Sequence, residues 1–87
     1  MKIEVRKPTE AEIKTAESWP VWTKEVSEFP WVYDQVETCL ILKGQAEVTA
    51  KDGEIAKFAA GDWVVFPESL ECTWKITEAI EKRYNFS

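Results

Sequence analysis

From Val21 to the C-terminus the apolar residues recur at about every second position, and Gly, Asp or Pro cuts the pattern at short intervals. A period of two is the signature of β-strands with one face toward a core. Breaks this close together mean short strands closed into a sandwich or barrel. The longest run is Glu37 to Ala50, with Lys43-Gly44 expected as a turn or bend near its middle. Asp52-Gly53 follows as an expected type I′ hairpin turn, which needs positive φ at both central residues. Further strands are expected from about Glu54 to Phe58, from Trp63 to Phe66 after Ala60-Gly61-Asp62, from Leu70 to Thr77 and from Ile80 to Phe86. Upstream, Trp22, Lys24 and Val26 share one side of a strand that Phe29-Pro30 is expected to break.

The first twenty residues read differently. Ile3 and Val5 alternate with Lys2, Glu4 and Arg6 as a short edge strand ended by Pro8. Thr9-Glu10-Ala11-Glu12 has capping-box form and predicts one brief helix over Glu10 to Ala16, stopping near Trp19-Pro20.

Eighty-seven residues make one domain, 1–87, because a chain of this size already buries only roughly 60% of its unfolded surface. Hydrophobic residues are 45% of the chain and five are tryptophan, enough to fold a core. Asp and Glu number 16 against 11 Lys and Arg, and a net charge of -5 argues against nucleic acid or an anionic membrane as the main partner. The N-terminus alternates charged and apolar residues and lacks the apolar stretch of a signal peptide or membrane span. A cytoplasmic protein is expected, or a plastid or other organellar one if a targeting segment has been removed. Cys39 and Cys72 are too few for a disulfide framework, and a disulfide between them is disfavoured in a reducing compartment.

Two spacings carry a family resemblance. Glu37-(x)6-Gly44 matches the end of the first motif of the cupins, and Gly61-(x)5-Pro67 matches the start of the second, with the Asp52-Gly53 hairpin between them. The chain thus resembles the cupin superfamily, which implies an all-β jelly-roll barrel with at most one short N-terminal helix. Trp19 to Ser27, Trp31-Val-Tyr-Asp, Glu37 to Gly44, Gly61 to Pro67 and Cys72-Thr-Trp-Lys look most like the small cupins grouped with (S)-ureidoglycine aminohydrolase and the ethanolamine-utilization cupins. A metal-binding cupin has His-x-His before its glutamate, and Trp31-Val32-Tyr33 stand there instead. The late histidine falls on Cys72, the glycine before it on Ser69 and the asparagine after it on Ile76, and the chain contains no histidine. Of the usual ligands Glu37 alone remains, and one carboxylate does not hold a transition ion without imidazole or thiolate company. No cofactor is expected.

The same alignment aims Glu37 and Cys39, two residues apart on one strand face, into the barrel, where Cys72 and Trp74 approach from the second motif. Trp31, Tyr33, Glu37, Cys39, Cys72 and Trp74 are therefore the candidate ligand-binding residues, with Glu37 the candidate acid or base. Rings and cysteines in so small a barrel equally serve as core. A carboxylate among them needs either a raised pKa or a buried partner, for which Lys24 and Arg83 are the candidates. Glu37, Cys39 and Cys72 are the alternative soft-metal site should they converge.

Three functions follow: a metal-independent small-molecule binder, a metabolic enzyme resembling the ureidoglycine aminohydrolase cupins, and a structural or interaction protein with a filled barrel. Whether there is catalysis is open at this point. Leu40-Ile41-Leu42 makes both faces of its strand apolar, so a second copy is expected to cover the outer face in a homodimer.

Overall fold

The computed structural model describes residues 2–87, and these form seven strands and one helix. In chain order they are β1 (Glu4–Arg6), α1 (Glu10–Ala16), β2 (Val21–Lys24), β3 (Ser27–Val32), β4 (Glu37–Ala50), β5 (Ile55–Ala59), β6 (Trp63–Phe66) and β7 (Glu71–Phe86). The long strands β4 and β7 pair antiparallel along nearly their whole length. The first half of β4 is flanked by β6 and then β1, and its second half by β5. β7 is flanked by β3 along Glu71–Ile76 and by β2 along Ile80–Arg83. Two antiparallel faces, β1-β6-β4-β7-β2 and β5-β4-β7-β3, thus share their two central strands, giving the all-β jelly roll.

The shared strands bend from one face into the other at Gly44. Register shifts fall between Ile41 and Ala46, and Gly44 has φ +86°. A Cβ there would collide with the Ala79 carbonyl and lie 2.6 Å from the Glu78 carbonyl oxygen, so a side chain has no room. Of the turn or bend expected at Lys43-Gly44, the structure has the bend, made by a bulge inside a continuous strand. The two strands expected over Leu70–Thr77 and Ile80–Phe86 are likewise one, β7, which passes the bulge at Glu78-Ala79.

Two corners also differ from expectation. Phe29-Pro30 does not break a strand but lies within β3, where Pro30 opposes Thr73. Among the described residues β3 pairs only with β7, and an edge strand tolerates a residue without an N–H. In the β4–β5 hairpin Gly53 has φ +98° and Asp52 has no positive φ, so the turn is not type I′. The Gly53 N–H donates to the Ala50 carbonyl (2.9 Å) and the Ala50 N–H to the Glu54 carbonyl (2.7 Å). Lys51-Asp52-Gly53 is thus a three-residue loop closed by a left-handed glycine.

The helix forms where the capping box predicts it. Thr9 Oγ1 accepts from the Glu12 N–H, and the Glu12 carboxylate accepts from the Thr9 N–H. Arg6 at the end of β1 holds the same carboxylate at 2.6 and 2.8 Å, which with the capping bond lowers the Glu12 carboxyl to about 2. Ala16, Trp19 and Trp63 then pack on Leu40 and Leu42. The outer face of β4, where a second copy was expected, is covered by this chain's own helix and two tryptophans, whose ring centres are 5.5 Å apart and whose planes are tilted by 40°. The main core, from Cys39, Ile41 and Val48 to Phe58, Phe66, Trp74, Ile76 and Ile80, fills the other side.

Candidate functional site

Glu37 opens β4, and the pleat sends it inward with Cys39 and Ile41. It is 2% exposed, and each of its oxygens has a partner. The Tyr33 hydroxyl donates to Oε1 at 2.7 Å, and the Lys82 ammonium donates to Oε2 at 2.8 Å. Trp74 Nε1–H in turn donates to the Tyr33 oxygen at 3.2 Å. Tyr33 is pinned at its backbone by Ser69 and Leu70, whose N–H and carbonyl pair with it at 2.7 and 2.9 Å. Ser69 makes this clasp with φ +71°, the glycine-favouring region, at the position where the cupin motif has glycine.

Lys82, on β7, is 5% exposed and lies between two indoles, 4.7 Å from the Trp22 ring centre and 4.6 Å from that of Trp74. A buried ammonium is tolerable here because a carboxylate and two ring faces replace its water. Burial, then the Glu37 charge, pushes the Tyr33 phenol well above its ordinary range, so it stays a neutral donor. Burial likewise raises the Cys39 thiol, against the pull of Lys82, and brings Cys72 up to about 11.

Above this ion pair lies a cavity of about 230 Å³. Its floor is Tyr33, Glu37, Trp74 and Lys82, all buried, and Trp22, Phe29 and Tyr84 form its walls. Trp31 and Phe86, both more than 40% exposed, stand at its rim. The rings are held by one another: Phe29 stacks parallel to Trp74 at 6.2 Å, Trp31 meets Tyr33 edge-on at 6.4 Å, and Tyr84 meets Phe86 edge-on at 5.6 Å. The result is an aromatic-walled pocket with one polar end, the form that small-molecule sites commonly take.

Four residues expected from the sequence, Trp31, Tyr33, Glu37 and Trp74, meet at this cavity. Cys39 and Cys72 do not line it. Cys39 is sealed in the core below, and Cys72 donates its thiol to the Trp31 carbonyl. Both are free thiols, and among the described residues no three His, Cys, Asp or Glu side chains form a metal-holding group, so Glu37, Cys39 and Cys72 make none. The expected partners of Glu37 are also corrected. Lys24 places its ammonium 5.6 Å from the Phe29 ring centre, and Arg83 donates to the Trp19 carbonyl at 2.8 Å. Lys82 takes the role because it shares strand parity with Ile80, Tyr84 and Phe86, whereas Arg83 has the opposite parity. That parity, with two aromatics in the set, is the signal that could have identified Lys82 along with Tyr84 and Phe86. Trp22 was legible as the cross-strand partner of Lys82 only once the β2–β7 register was known.

Comparison with known proteins agrees with this architecture. Residues 12–84 match the model of the EutQ-like cupin domain. A DUF861 family protein from Thermotoga maritima is 46% identical, with a TM-score of 0.95 over 99% of this chain and 100% of its own. A putative ethanolamine utilization protein Q from Salmonella typhimurium shares the fold at 21% identity and a TM-score of 0.69, over 76% of this chain and 53% of that protein, so this chain spans about half its length. The EutQ protein of Clostridium difficile shares it at 14% identity and a TM-score of 0.71, covering 97% of this chain and 66% of its own. No curated protein matches the chain.

Proposed function

This chain belongs to the EutQ-like cupin domain family, and from that premise we propose that it is a metal-independent small-molecule-binding protein whose ligand enters the aromatic cavity above Glu37 and Lys82. The observation that supports this is the cavity itself, about 230 Å³ with ring walls and a buried ion pair for a floor. For scale, an engineered apolar cavity of about 150 Å³ takes up benzene. Binding here is independent of metal because Lys82 already supplies the positive charge beside Glu37, and both carboxylate oxygens are engaged. For the same reason Glu37 acts as the anchor that positions Lys82 and not as an acid or base.

The five indole N–H groups provide the test, since Trp22, Trp31 and Trp74 line the cavity whereas Trp19 and Trp63 lie on the outer face. In a ¹H–¹⁵N screen against small aromatic metabolites, a binder is expected to shift the first three signals and leave the other two in place. A screen that shifts none of the three, or only Trp19 and Trp63, contradicts the proposal. A homodimer is a further proposal. Since α1 covers the outer face of β4, its ground is the exposed Val21 on β2, Val26 in the link that follows and Val32 on β3, and a 10.1 kDa species in micromolar sedimentation contradicts it.

A further inference from the structure

We infer that the ligand of this cavity is a small planar molecule, neutral overall, with a hydrogen-bond acceptor such as a carboxamide or ring carbonyl that docks on the Lys82 ammonium. This rests on the cavity being the binding site and goes further by naming the chemistry it selects. Size sets the first constraint: about 230 Å³ holds one substituted ring or a fused pair, given that benzene fits in about 150 Å³. The walls set the second, because Trp22, Phe29 and Tyr84 offer ring faces and edges to a flat apolar body.

Charge sets the third. Lys82 has three N–H donors, and among the described residues Glu37 is its one hydrogen-bond acceptor. The Trp22 and Trp74 faces serve the remaining hydrogens more weakly than an oxygen would. A ligand acceptor therefore gains a charge-assisted bond at the floor. A cationic ligand would meet an ammonium that already occupies the two indole faces. An anionic ligand that reaches Lys82 comes close to the Glu37 carboxylate, 2.8 Å from the same nitrogen, and loses its water as well. The ion pair is internally neutral, so a neutral polar ligand is the one that leaves the balance undisturbed.

Four probes of nearly one shape separate these cases: toluene, benzamide, benzoate and benzylamine, followed at pH 7 by the indole signals. Benzamide is expected to bind at least tenfold more tightly than each of the other three. Lys82→Met is expected to remove that preference over toluene while toluene still binds. Should the single variant fail to fold, the Glu37→Gln, Lys82→Met pair, which retires both charges together, is expected to show the same loss. Benzoate or benzylamine binding as tightly as benzamide overturns the inference, as does toluene binding as tightly, although the cavity would then still be a binding site. Failure of all four to shift Trp22, Trp31 or Trp74 overturns the inference and the proposed function together.

Discussion

Glu37 and Lys82 are each costly to bury alone, and their position is explained only by what surrounds them. Removing one partner of such a pair typically costs about 3–5 kcal/mol, because the other charge is left without compensation. Lys82→Met is therefore expected to lower the unfolding free energy by about that amount in urea denaturation. Glu37→Gln combined with Lys82→Met is expected to recover most of the loss, since a Gln amide oxygen can replace the carboxylate oxygen that accepts from Tyr33. Additive losses in the double variant would mean the two side chains are not coupled. Glu37 was legible in the sequence because a carboxylate in an apolar strand stands out. Its partner was not, because Lys82 and Arg83 are adjacent cations and only the parity of β7 separates the buried one from the one bound to the Trp19 carbonyl. The cysteines misled for a related reason: parity brought Cys39 inward, but depth along the barrel, which spacing does not encode, put it beneath the cavity and not beside it.

At the scale of elements, the long strands depend on a single residue. Gly44→Ala introduces a Cβ into the Ala79 and Glu78 carbonyls at a backbone φ of +86°, and a loss of about 3 kcal/mol or more is expected. Gly53→Ala is the control, since it shares a positive φ of +98° but meets nothing within 4 Å, so only about 1–2 kcal/mol is expected. Equal losses at the two positions would show that backbone conformation alone, and not the close passage of β4 over β7, sets the cost. The helix and strand β6 were legible to their last residue because their signals are local: a capping box for one, Gly-Asp and Pro corners for the other. The breaks at Phe29-Pro30 and near Glu78 were not, because whether a proline or a bulge ends a strand depends on its neighbours in the sheet.

For the molecule as a whole, the inward groups set a limit at high pH. The Tyr33 phenol and the Cys39 thiol are held above their ordinary values of 10.0 and 9.0, chiefly by burial. Above those values the unfolded chain has released these protons and the folded one retains them, so the folded state binds more protons and its stability falls as pH rises. Each group adds a slope of about 1.4 kcal/mol per pH unit in that window, beginning near pH 9 for Cys39 and near pH 10 for Tyr33. Tyr33→Phe is expected to be less stable at neutral pH, where it leaves Glu37 and Trp74 each short of a partner, yet to lose stability less steeply above pH 10. Parallel urea-midpoint curves for the two proteins between pH 9 and 11 would contradict this. Architecture, helix and much of the cavity lining were thus open to sequence reasoning, while the open barrel and its resident ammonium emerged only from packing. The most direct test of the cavity as a ligand site is a high-resolution crystal structure with benzamide. The account predicts the ring among Trp22, Phe29 and Tyr84 with its carbonyl oxygen in hydrogen-bond reach of Lys82 Nζ, whereas a cavity filled by its own side chains, or benzamide bound only elsewhere, would contradict it.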